Sequence, residues 1–153
     1  MAATMAGAVK GTVETFGLGL AVYRDGAPTR EGKAAVPYPH VVVQEGVGQT
    51  LDLHGDYAAP AAHDGTTELV QVTLLQQARR IGPDGSPAEV TEDYALADRL
   101  TVALNRCLPE LQRHAPWRVY GVRVQSALRS GPTDNIVRHV LTVVVRRDTE
   151  RLP

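Results

Sequence analysis

A chain of 153 residues with a net charge of -1 is expected to form one domain, residues 1–153, with a real core. That charge excludes a molecule that holds nucleic acid through its overall field. A single cysteine, Cys107, excludes an internal disulfide and a cysteine cluster for zinc. No apolar run approaches the roughly 18 residues of a membrane span, and the N-terminus lacks the charged region and apolar core of a secretory signal. The expectation is therefore a chain made in a cytoplasm, with no membrane partner. With one Phe and one Trp, the core must be built from Val, Leu and Ala. Arg supplies 14 of the 16 basic residues, a bias of GC-rich coding rather than of function.

Residues Thr4 to Phe16 have a helical period, with Met5, Val9, Thr12, Val13 and Phe16 at three- and four-residue steps. Gly17 is the expected C-cap, since it accepts the left-handed conformation without strain. Gly7 and Gly11 each weaken this helix by about 1 kcal/mol relative to Ala, so it must depend on docking. Leu18 to Arg24 reads as a strand and Asp25-Gly26 as a turn. Ala27 to Pro39 reads as a loop, in which Pro37 and Pro39 force an extended approach to a strand at His40–Gln44. Glu45 to Thr66, rich in Gly and Ala, reads as a long loop with at most a brief strand at Leu51–Leu53; loops of that length often serve binding.

The strand Thr67–Gln77 places Val70, Val72 and Leu74 on one face. After Arg79-Arg80 and a turn-rich link comes a long amphipathic helix with two candidate starts. Ser86-Pro87-Ala88-Glu89 fits a capping box and is preferred; Thr91 with Glu92 and Asp93 is the second. The helix covers residues 87–107. Tyr94, Ala97, Thr101, Leu104, Leu108 and Leu111 form one stripe, and Leu96, Leu100, Ala103 and Cys107 the adjacent one. Pro109 must end or kink it. Arg118–Ser126 reads as a strand with Tyr120, Val122 and Val124 on one face, and Asn135–Arg147 as another with Val137, Leu141, Val143 and Val145 aligned. Ala127–Asp134 is the loop between them, and 148–153 a frayed tail. The fold class is α/β (α+β): a mixed sheet of four or five strands with an N-terminal helix and one long helix packed on it.

Catalytic signatures are missing. None of the five histidines makes an HxxxH or HExxH pair, and no GxGxxG, Walker or GxSxG motif occurs. Gly17-Leu-Gly19 is too short for a phosphate loop. His54, Asp56, His63 and Asp64 share one stretch that invites a metal, yet no helical or strand spacing fixes them together. The reading is of no catalytic residue, no cofactor and no metal. Cys107 reads as a buried inert thiol. Arg79-Arg80 and Arg146-Arg147 are basic doublets at strand ends, either partner contacts or solvated rims.

The order of elements then resembles a known family. A helix ends in a Gly-rich turn and leads to a Val-Tyr strand; a Pro-Tyr-Pro-His-Val-Val-Val strand follows at 37–43, a Leu-Val-Gln-Val-Thr strand at 69–73 and an Ala-Leu-Ala-Asp-Arg-Leu helix at 95–100. A hairpin closing with Arg138-His-Val-Leu-Thr-Val-Val-Val145 completes it. From Thr4 to Arg147 this is similar to the tail terminator (tail completion) proteins of long-tailed bacteriophages, on pattern and order rather than on an invariant signature. The resemblance implies a structural protein of the virion, assembled in the host cytoplasm. It would form a ring, usually of six, that caps the tail tube, stops its growth and docks to the head connector, with DNA passing through the lumen. The basic doublets, with Arg129 and Asp134 as opposite charges at the two ends of the 128–134 turn, are the candidate contact residues. Alternatives are another head–tail joining protein, the terminator of a contractile machine, an intracellular binding module, or a small metal-dependent enzyme built on the 45–66 stretch.

Overall fold

The computed structural model describes residues 2–54, 63–81, 84–85 and 87–153, with no account of the side chains of 47–54, 63–64, 81 and 87–88. In chain order the elements are α1 (Met5–Glu14), β1 (Ala21–Arg24), β2 (Thr29–Arg30), β3 (Lys33–Ala34), β4 (His40–His54) and β5 (His63–Gln77). They continue with β6 (Arg79–Ile81), β7 (Pro87–Val90), α2 (Tyr94–Asn105), α3 (Leu108–His114), β8 (Trp117–Thr133) and β9 (Ile136–Arg151). Five strands form one sheet in the order β1-β4-β5-β9-β8, with β2-β3 and β6-β7 as small hairpins. The sheet is mixed: β1 runs parallel to β4, and every other neighbouring pair is antiparallel. The expected α+β architecture is present.

Strand parity sorts the residues. Cross-strand rows on the inner face run Val43–Val72–Leu141 and Val41–Leu74–His139, with Val70 opposite Val143. Their valines and leucines are buried with Met5, Val9 and Val13 of α1, Leu96, Leu100 and Leu104 of α2, and Leu111 of α3. No helix residue packs with the outer face among the described residues. Its row Val42–Thr73–Val140–Leu128 is half-buried except at Leu128, which is 66% exposed.

Thr4 caps α1 by accepting the Gly7 amide at 3.0 Å. The C-cap is Thr15, not Gly17, and its hydroxyl donates to the Thr12 carbonyl at 2.6 Å; Gly17 takes its positive φ two residues later. A Cβ at Gly11 would stand 2.8 Å from the His114 ring, so that glycine lets α1 and α3 approach closely.

Five further expectations are corrected. Residues 45–54 and 63–66 are strand rather than loop: β4 runs to His54 and β5 starts at His63, in register from Gln49↔Glu68 to His54↔His63 after an irregularity between Glu45 and Gln49, and 55–62 lie outside the described residues. The capping box at Ser86 starts no helix, because Pro87–Val90 pairs with Arg79–Ile81 as a hairpin; α2 begins at Tyr94 with Asp93 as N-cap. Tyr94 consequently lies outside the apolar face and is 59% exposed. Residues 127–133 continue β8, and the turn to β9 is only Asp134-Asn135, both at positive φ as a tight hairpin turn requires. Finally, 148–151 is strand rather than a frayed end: Arg151 donates to the Ala3 carbonyl at 2.6 Å, and the Leu152 amide to the Pro116 carbonyl at 2.8 Å. The β8–β9 ladder has four register shifts. One extra residue on β8 between Val119 and Gly121 shifts parity, so Val119 points inward with Val122 and Val124 while Tyr120 stays exposed. Pro109 acts as expected, ending the long helix and occupying the first turn of α3.

Candidate functional site

Two polar clusters are built into the inner face. In the first, Arg129 on β8 lies opposite His139 on β9. Both reach Glu92, in the link before α2. Arg129 donates from Nη2 to Oε1 at 2.7 Å and from Nε to Oε2 at 2.8 Å, and His139 Nε2 lies 3.1 Å from Oε2. The Glu92 side chain is 2% exposed. Hydrogen bonds from Arg129 hold its carboxyl below the ordinary carboxylate value, against the opposing effect of burial. The neighbouring inward residue of β5, Gln76, donates to the Asp93 carbonyl at 3.0 Å and accepts the Asp93 amide at 2.9 Å. Asp93 Oδ1 then accepts the amides of Ala95 and Leu96. Together these contacts fix where α2 starts and tie that start to three strands.

In the second cluster Arg147 is buried, its guanidinium 4.0 Å from the centre of the Trp117 ring, with Arg151 at 4.9 Å. Arg147 Nη2 donates to Glu68 Oε1 at 3.1 Å, and Nε stands at 3.1 Å from Oε2 as an ion-pair contact outside hydrogen-bond alignment.

The structure thus divides the six residues marked as partner contacts. Arg79, Arg80 and Asp134 gather at one end of the sheet. There the Arg79 amide donates to Asn135 Oδ1 at 3.1 Å, its carbonyl accepts from Nδ2 at 2.6 Å, and the Arg80 side chain pairs with Glu89 at 3.3 Å. Arg129 lies in the ladder, not at a loop tip. Arg146 and Arg147 lie inside β9 rather than at its end, on opposite faces, and only Arg146 is exposed. Sequence reasoning missed Glu92, His139, Gln76, Glu68 and Trp117 as organising residues. The available signal was polar residues at inward positions of otherwise apolar strands, Glu68 and Gln76 on β5 above all.

Of the metal candidates, backbone register sets His54 opposite His63 and Leu53 opposite Asp64, and Asp56 lies outside the described residues. No group of three metal-ligating side chains gathers among the described residues. Cys107 is buried, and burial pushes its thiol up to about 11. No described helix is long and apolar enough to cross a membrane.

The outer face carries further exposed basic groups of the sheet, Arg118 beside Tyr120 among them. Arg123 lies opposite Val144, Arg146 opposite Gly121, and Arg138 opposite Leu75 and Ser130. Nothing lies within 4 Å of a Cβ placed on Gly121, and a shallow cavity of about 280 Å³ opens there, lined by Gly121, Val122, Arg123, Val144 and Arg146. At the β1 side of this face, Tyr23 and Tyr38 enclose His40, with ring centres 5.8 and 4.9 Å away. Burial lowers the pKa of His40, and its Nδ1 lies 3.2 Å from the Pro37 carbonyl.

No family model matches the sequence, and none of the curated proteins does. Among solved structures the chain is similar to one described as "Virion of native gene transfer agent (GTA) particle", at 14% identity and a TM-score of 0.42, covering 96% of this chain and 86% of that one.

Proposed function

We propose that the chain is a structural, non-catalytic virion protein: a subunit of a ring, of six copies, that caps a phage-type tail tube, stops its polymerisation and offers the docking surface for the head connector. DNA passes through the lumen without sequence reading. The observation that carries this reading is the folded order of elements. The helix, the Val-Tyr strand, the Pro-Tyr-Pro-His-Val-Val-Val strand, the Leu-Val-Gln-Val-Thr strand, the second helix and the closing hairpin are those on which the resemblance to tail terminators rests, and they fold into one continuous sheet with every helix on one side.

The geometry supports lateral assembly in a second way. β1 pairs with β4 only from His40 to Val43, so among the described residues the outer edge of β4 has no strand partner from Gln44 to His54. Unpaired strand edges are natural templates for another chain. A ring that joins such an edge to a different patch of the next subunit closes when the rotation suits. The opposite edge, β8, is partly covered: Asn105 Oδ1 accepts the Val124 amide at 2.7 Å, and Gln112 Nε2 donates to the Val119 carbonyl at 2.9 Å.

The test mixes the purified protein with a tail tube protein from the same genome and images the product by electron microscopy. Density at one tube end, with tube length regulated, is the expected result. Decoration along the tube sides, or no binding with unregulated length, sinks the reading.

A further inference from the structure

We infer that the outer sheet face around Gly121 is a seat for the phosphodiester backbone of nucleic acid, with Arg123 and Arg146 as its phosphate-binding groups. This rests on the proposed function in supposing DNA in the lumen, but the argument comes from how charge is distributed over the sheet. The inward arginines are neutralised in place, Arg129 by Glu92 and Arg147 by Glu68. Of the outward ones, Arg118 lies beside Tyr120, and Arg123, Arg138 and Arg146 have no ion-pair partner among the described residues. The outward carboxylate nearest to them on β9, Asp148, accepts the Tyr120 hydroxyl. That bond raises the tyrosine's pKa.

Register places Arg146 opposite Gly121 and Arg123 opposite Val144, a diagonal pair on adjacent strands about 7–8 Å apart at the backbone. That spacing suits neighbouring phosphates. Gly121 contributes no side chain between them, and the cavity beside Val144 is left open. Guanidinium groups match phosphate oxygens with two parallel hydrogen bonds, which lysine cannot do. The molecule as a whole carries a net charge of -1, so binding at this face must come from the local pair and not from a general field.

The experiment titrates a 20-base-pair duplex into the isotopically labelled full chain at low salt and follows amide shifts by NMR. Shifts clustered at Gly121–Arg123 and Val144–Arg146 are expected, with a log–log salt slope of about -2 that falls by about 1 for each arginine removed. Arg123→Ala with Arg146→Ala should abolish the clustered shifts. Gly121→Glu should do the same by filling open space, with the rest of the spectrum unchanged. Arg79→Ala with Arg80→Ala should leave them intact.

Shifts that survive the Arg123/Arg146 double change, that centre on Arg79 and Arg80, or that polyglutamate reproduces equally, would overturn the inference. Tube capping is scored separately on the same proteins. Wild-type protein that caps tubes but shows no clustered shifts removes the phosphate seat and leaves the terminator reading standing. Clustered shifts without capping do the reverse.

Discussion

Replacing Gln76 with leucine tests whether the start of α2 is set by the sheet. Gln76 is 3% exposed and holds both backbone groups of Asp93, at 2.9 and 3.0 Å. Leucine keeps most of the volume and removes the donor and the acceptor. Two such bonds contribute a net of about 1–3 kcal/mol, and the stranded Asp93 amide and carbonyl push the loss toward the upper end. A destabilisation of about 2–3 kcal/mol corresponds, for a chain of this size, to a fall in Tm of about 4–12 °C. Chemical denaturation gives the free energy, and hydrogen exchange at Ala95 and Leu96, whose amides Asp93 Oδ1 accepts, reports the helix start directly. Gln44→Leu is the control: Gln44 is half-buried on the outer face and meets only Gln71, at 3.5 Å, so it should stay within about 0.5 kcal/mol. If the two variants unfold at the same denaturant concentration, the clamp does not set the helix start and the reasoning fails.

Leu104 is fully buried under α2, so Leu104→Ala should cost about 2–5 kcal/mol by denaturation; an unchanged midpoint would mean that the helix presents another face. Arg129→Glu sets a second carboxylate against Glu92 and should lower the midpoint clearly, whereas Arg79→Glu should leave it nearly unchanged. The folded pKa of Glu92 is depressed from 4.5, so its stabilising contribution is present above about pH 4.5 and lost as pH falls through the folded value; the stability gap between wild type and Glu92→Gln should close over that acid range. His40 is also depressed, from 6.5, so its ring resonances should titrate below pH 6.5 by NMR, and its contribution to stability should fall only as pH drops beneath that value. Cys107, buried with a thiol near 11, should react with thiol reagents at pH 8 only as fast as the chain unfolds; rapid labelling would contradict its placement.

Apolar period made the two helical regions and most of the central strands legible, because burial on one face leaves a pattern in the residues themselves. Val70, Val72 and Leu74 on β5, and Leu96, Leu100 and Leu104 on α2, are where that pattern puts them. What it could not supply was anything decided by a partner distant in sequence. Pro87–Val90 has local capping chemistry for a helix, yet pairing with Arg79–Ile81 makes it a strand. β4 beyond Glu45 is Gly-rich with weak strand propensity, and its extended form comes from the ladder with β5. Arg129 looked like a loop-tip charge because Ser130, Gly131 and Pro132 follow it. The turn is instead Asp134-Asn135, which leaves Arg129 in the ladder facing Glu92, 37 residues away in sequence. Bulges on β8 reversed the side assigned to Tyr120 for the same reason: parity read from sequence assumes an uninterrupted ladder.

The register of β9 shows how the polar residues do what the apolar ones cannot. A one-residue slip turns every side chain to the other face, and a clean alternation of apolar and polar residues normally forbids it. From Val140 to Val145, β9 has no such alternation, since five of these six residues are apolar and the sixth is Thr142. Either face of that run could be buried at similar gain. The discrimination lies at its flanks. His139 and Arg147, eight residues apart, share the inward parity and meet Glu92 and Glu68. Arg138 and Arg146, also eight apart, share the outward parity. A slip that turned Val140 and Asp148 inward would set Asp148 against Glu68, and a buried charge deprived of its partner costs about 3–5 kcal/mol. A slip the other way exchanges Arg147 for Arg146 and His139 for Arg138, so these pairs discriminate against one direction only. The carboxylate on β5 thus holds one arginine of the 146–147 doublet inside, Arg147 in this register, and leaves Arg146 for solvent or a ligand. The charge that distinguishes the outer face follows from the same contacts that hold the inner one together.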